Sequence, residues 1–132
     1  MAAGDIIVIA SSTDLSSALF VNGTVTNNVL YTTDDIDSAD QFTLSGNSSG
    51  WTLTSGTTGD ALGCIADKKV NLSGNGSTSW TITPDSEGLS VINTVVSSNN
   101  EPLQYNYNEG SNPRFTTYKS NSQTTPAIFR KK

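Results

Sequence analysis

No histidine occurs anywhere in the chain, and Cys64 is its only cysteine. Ser-His-Asp and Cys-His nucleophile activation both need an imidazole, and structural zinc needs imidazoles or several thiolates, so neither chemistry is open to this sequence. The same count excludes an internal disulfide. Cys64 lies in Leu62-Gly63-Cys64-Ile65, a setting that marks a small apolar core residue rather than a reactive thiol. Carboxylates remain as the general acids and bases. Asp34, Asp35, Asp37 and Asp40 cluster in the run DDIDSADQ, which reads as an acidic surface loop or one short helical turn. Asp35, Asp37 and Asp40 offer hard oxygen ligands to calcium, but a turn glycine and a terminal bidentate Glu are missing. No cofactor is expected, and no enzymatic activity.

A binding set is easier to draw. Tyr107, Asn108, Asn112, Arg114 and Tyr118 place aromatic faces, amides and one fixed cation around a Gly-Ser-Asn-Pro turn. Mixed aromatic and polar groups of this kind hold a sugar or another protein, although the same residue types also serve simply to build turns. Trp51 and Trp80 occupy apolar positions of alternating runs, which places them in the core rather than on a sugar-stacking surface. The glycine-rich turns at 46–50 and 73–76 lack the lysine and following helix of a phosphate loop.

The elements that must position these groups are strands. Only 34% of residues are apolar and 14% charged, a balance suited to many short strands with polar turns. Period-two alternation predicts twelve of them, at 6–10, 18–22, 29–33, 41–45, 51–55, 61–66, 70–73, 79–83, 89–93, 102–107, 114–118 and 127–131. The linkers are rich in Gly, Asn, Ser and Asp, among them Asn22-Gly23, and the stretch 97–101 reads as a turn in water. Leu19, Leu62 and Leu103 recur at roughly forty-residue spacing, each followed two positions on by Val21, Cys64 or Tyr105, which signals an internal repeat. The third copy is completed only if Ala127-Ile128-Phe129 meets the beginning of the chain.

Three copies of a four-strand unit, with the termini joined, describe a β-trefoil-like closed barrel occupying residues 1–132 as a single domain. Closure in a ring of three removes the bare edges that each copy alone would carry. The alternative is a β-sandwich. At net charge −5 the chain would be repelled by a phosphate backbone, so nucleic acid is not an expected partner. No stretch has the length of a membrane span. The first apolar run, 6–10, follows Asp5 rather than a basic segment, so no signal peptide is expected. The chain then stays inside its cell or is a domain whose export signal lies upstream.

Ala61-Leu62-Gly63-Cys64-Ile65, Ser79-Trp80-Thr81-Ile82, Val91-Ile92-Asn93, Pro102-Leu103-Gln104-Tyr105-Asn106, Pro113-Arg114-Phe115-Thr116-Thr117-Tyr118-Lys119 and Ile128-Phe129-Arg130-Lys131 resemble a module at the C-termini of secreted and cell-surface proteins of gut bacteria. The likeness is strongest from Ala61 onward. It implies an extracellular or cell-surface, non-catalytic accessory domain, joined to the other domains of a parent protein. A broader likeness to lectin-type trefoils implies a carbohydrate ligand, although their Gln-x-Trp signature stands here as Gln41-Phe42-Thr43. The expectation is therefore a carbohydrate-binding accessory module of a secreted bacterial protein. Its alternative is a structural protein that self-associates, such as a capsid, fibre or surface-layer subunit.

Overall fold

The computed structural model describes residues 1–108 and 112–131. Among these residues, all regular structure apart from one 3-10 turn, Ile36–Ser38, is β-strand. The strands are β1 (Ile6–Ala10), β2 (Phe20–Thr26), β3 (Val29–Thr33), β4 (Phe42–Asn47), β5 (Gly50–Ser55), β6 (Gly63–Ala66), β7 (Lys69–Asn71), β8 (Thr81–Pro84), β9 (Ser90–Val96), β10 (Asn99–Asn106), β11 (Arg114–Thr117) and β12 (Ala127–Arg130). Each of the twelve expected strands has its counterpart, with ends moved by up to four residues. Ten lie in one antiparallel sheet, and β6 and β7 form a second.

Alternation explains the burial. In β5, Trp51, Leu53 and Ser55 point inward while Thr52 and Thr54 are half-exposed, the period of a strand with one wet face. β1 departs from this pattern: its continuous apolar run, IIVIA, is buried on both faces, as such runs require. Ile7 and Ile9 enter the main core with Phe42, Leu53, Trp80 and Leu103. Val8 and Ala10 enter a smaller cluster with Phe20 and Ala127. The Trp80 indole N–H donates to the Leu62 carbonyl at 2.9 Å, which lets a polar atom sit in the core without penalty.

β1 is also the hub of the pairing. It meets β12 at four positions, from Ile7↔Arg130 to Ala10↔Ala127. It meets β4 at Ile6↔Thr43 and Ile7↔Phe42, and β2 at Ala10↔Phe20. The hairpins β4–β5 and β8–β9 are joined through a reciprocal backbone pair between Trp51 and Trp80, 2.7 and 2.8 Å. Leu89 bridges Ala127 at the start of β12. Three other hairpins, β2–β3, β6–β7 and β10–β11, meet one another. Phe115 pairs with Leu30, the Val70 amide donates to the Asn28 carbonyl at 3.0 Å, and the Lys68 amide donates to the Thr117 carbonyl at 3.1 Å.

One expected core residue is displaced. Leu62 and Leu103 are fully buried together, but Leu19 is half-buried and lies outside the core cluster, where Val21 stands instead. Between Val21 and Val25 four steps of β2 span two steps of β3, since Val21 faces Thr32 and Val25 faces Leu30. The two extra residues surround Gly23, whose φ of +87° suits a residue without Cβ. The Asn22-Gly23 linker expected from the sequence is thus an irregularity inside β2. Ile128 is partly buried against the main core.

Leu103→Ala is expected to cost about 2–5 kcal/mol of stability, and Leu19→Ala less than about 1 kcal/mol, as for a residue outside the core. Urea denaturation of the two variants checks this, and equal losses would contradict the assigned register.

Candidate functional site

The β10–β11 hairpin carries the set expected from the sequence. Tyr107 follows the end of β10 and is 64% exposed. Asn108 adopts a left-handed φ of +48°, and its amide donates to the Asn106 side chain at 2.8 Å, an Asx-type turn that carries the chain away from the strand. The middle of the loop, 109–111, lies outside the described residues. On the returning side, the Arg114 Nε donates to the Asn112 carbonyl at 3.2 Å, and the exposed Asn112 amide donates to the Tyr31 hydroxyl at 3.4 Å. The neighbouring strand β3 thereby adds Tyr31 to the set. Its only sequence signal is its place in a strand that turns out to adjoin β11 at Phe115↔Leu30.

Tyr118 is placed differently. It is 8% exposed, its hydroxyl accepts from the Asn106 amide at 3.0 Å, and Lys68 lies over its ring at 5.9 Å. The segment 119–125 folds back over β10, where Gln104 donates to the Ser120 carbonyl at 3.0 Å and accepts from the Gln123 amide at 2.9 Å. Tyr118 therefore supports the hairpin, and Tyr107, Asn112, Arg114 and Tyr31 form its accessible edge. Burial, with the neighbouring Tyr107 phenol, pushes the Tyr105 hydroxyl above its usual range, so that group remains a neutral donor at ordinary pH.

The acidic loop divides. Asp34, Asp35 and Asp37 are exposed around the 3-10 turn, whereas Asp40 is buried and accepts from the Ser55 hydroxyl at 2.6 Å and from the Thr57 hydroxyl and amide at 3.0 and 3.1 Å. Its oxygens pin the β5–β6 connection instead of joining the other three acids. Among the described residues no group of three or more His, Cys, Asp or Glu converges as a metal site would require. Trp51 and Trp80 are both buried, so neither ring is a stacking platform.

Cys64 is fully buried. Its Sγ lies 3.3 Å from the Ala66 carbonyl and 3.4 Å from the Thr117 hydroxyl, and burial pushes the thiol above its usual range while Thr117 opposes the shift. A further acid was misplaced by the sequence reading. Glu101, assigned there to a turn in water, lies inside β10 opposite Thr94 and is 1% exposed. The turn is only Ser97-Ser98, with φ of +50° and +68°, the two left-handed positions of a tight hairpin. Burial is the main force raising the Glu101 carboxyl above its ordinary range, the neighbouring Asp67 adds to it, and Thr117 and Lys119 oppose it.

Compared with protein-family models and with curated proteins, the chain matches none.

Thiol reagents are expected to label the native protein slowly and the urea-unfolded protein rapidly. Fast stoichiometric labelling of the native form would contradict the burial of Cys64. The raised acidity constant of Glu101 sets a second expectation. Its contribution to stability is fully present below the unfolded-state pKa of a glutamate and is lost as pH rises through the higher folded-state value. Glu101→Gln, which cannot ionise, should lack this decline and be at least as stable as the wild type at neutral pH. Urea midpoints measured from about pH 4 to about pH 8 test the sign, and a variant that is weaker at neutral pH would contradict it.

Proposed function

We propose that the chain is a β-trefoil-like, non-catalytic accessory module of a secreted or cell-surface bacterial protein, and that its ligand is a carbohydrate. The trefoil reading rests on the order of pairings. β1–β4, β4–β5, the Trp51–Trp80 bridge, β8–β9, the Leu89–Ala127 bridge and β12–β1 link six strands as a barrel would. The other six form three hairpins that touch pairwise, as a cap of three would. The exported setting rests on the resemblance of the segments from Ala61 onward. Among the described residues no helix is long and apolar enough to cross a membrane.

The observation that carries the carbohydrate reading is the accessible edge of the third hairpin, where the exposed Tyr107 ring stands beside a loop that returns through Asn112 and Arg114. A flat aromatic face stacks on the apolar side of a sugar ring, while amides and a guanidinium exchange hydrogen bonds with its hydroxyls. A shallow edge of this kind gives weak single-site binding, with dissociation constants on the order of 0.1–1 mM, and becomes effective when several copies act together. Multivalent display on a glycan array should therefore show binding by the wild type, reduced in Tyr107→Ala and Arg114→Ala. No glycan binding, together with a concentration-dependent oligomer in solution, would favour the self-associating structural protein instead.

A further inference from the structure

The cleft between the β6–β7 turn and the β9–β10 turn holds one of the two buried side-chain atoms that lack a hydrogen-bond partner among the described residues, the other being the Thr116 hydroxyl. Glu101 lines this cleft, of about 350 Å³, from within β10, and its Oε1 is buried with no hydrogen-bond partner among the described residues. Native structures rarely leave a buried acceptor so, and such a group marks a place where a missing donor belongs. Asp67 lines the same cleft, its Oδ1 held by the Lys119 amide at 3.1 Å. Lys69 and Lys119 stand at the rim, both exposed, and neither is paired with a carboxylate among the described residues.

We propose that this cleft is a saccharide-binding site, separate from the Tyr107 edge, in which Glu101 and Asp67 accept hydrogen bonds from sugar hydroxyls while Lys69, Lys119 and Asn99 donate to them. The proposal rests on the carbohydrate reading above and names a different site for it. The chemistry of the walls selects the class. Two uncommitted ammonium groups disfavour a bare metal cation, and two carboxyl groups disfavour a bare anion. A hydroxyl both donates and accepts, so a neutral polyhydroxylated ligand satisfies both sets at once. The volume falls within the span of about 300–1,000 Å³ common for small-molecule sites. Lys119 also lines an adjoining open groove of about 450 Å³ that carries Asn93, Asn100 and Asn121. Neutral amides there continue the same recognition chemistry, which fits an oligosaccharide lying across Lys119 better than a single charged metabolite.

Amide chemical shifts of the ¹⁵N-labelled full chain would be followed during titration with short neutral oligosaccharides based on mannose, galactose and N-acetylglucosamine. Calcium chloride and inorganic phosphate would be titrated separately. The expected result is shifts at Asn99, Glu101 and Lys119 with a saccharide, weakened at least about tenfold, or about 1.4 kcal/mol, in Glu101→Gln and in Lys119→Ala but retained in Tyr107→Ala. Urea denaturation of Glu101→Gln keeps a loss of binding distinct from a loss of fold. Shifts confined to Tyr107, Asn112 and Arg114, insensitive to the two cleft variants, would overturn this site and leave the carbohydrate reading standing. Shifts in the cleft with calcium or phosphate but no sugar would overturn the ligand class. No response to any saccharide, in agreement with an empty glycan array, would overturn both.

Discussion

Strand β1 is apolar on both faces, and its burial depends on the last strand of the chain. β12 supplies partners at four successive positions of β1, extended by the bond from the Lys131 amide to the Ile6 carbonyl at 2.7 Å. Ala127 and Phe129 of β12 close the small cluster over Val8, Ala10 and Phe20. Without β12, β1 would present a bare edge and an uncovered apolar face together, the combination that promotes aggregation. A chain of this size has little stability to spare, so a contact between its two ends constrains everything between them.

That constraint leaves the outer turns free of structural duty in unequal degree. The turn Asn27-Asn28 and the turn Ser97-Ser98 adopt left-handed positions and hold their strands in register. The β10–β11 connection is longer and begins with an exposed tyrosine, and the β6–β7 turn delivers Asp67 to a cleft floored by a buried glutamate. Loops on a rigid sheet are where recognition is commonly placed. Both candidate surfaces draw on the third hairpin, whose outer face is fixed from behind by Gln104 and by the hydroxyl of Tyr118.

Much of the strand pattern was legible in the sequence, because alternation with period two and turn-forming clusters are local signals. β1 and β3 match their expected bounds in full, and the meeting of β1 with Ala127-Ile128-Phe129 followed from the incomplete third copy. What escaped was non-local. The place of Leu19 could not be read because it stands just before β2, where its backbone exchanges hydrogen bonds with Ser11 beyond the end of β1, a contact no local pattern announces. Glu101 sits in a polar run, SSNNE, that local chemistry assigns to a turn, yet the tight Ser97-Ser98 hairpin needs only its first two residues and draws the rest into β10. Tyr118 was read as accessible because nothing local indicates that 119–125 folds over the sheet. Tyr31 joins the edge only through the pairing of β11 with β3.

Native-state hydrogen exchange of the β1 and β12 amides tests the central dependence most directly. Exchange under increasing denaturant separates local openings from global unfolding. The pairing described here predicts that the amides of both strands exchange only through global unfolding, at the same free energy as those of β4 and β5. Exchange of β12 through a local opening of much lower free energy, while β1, β4 and β5 remain protected, would contradict it.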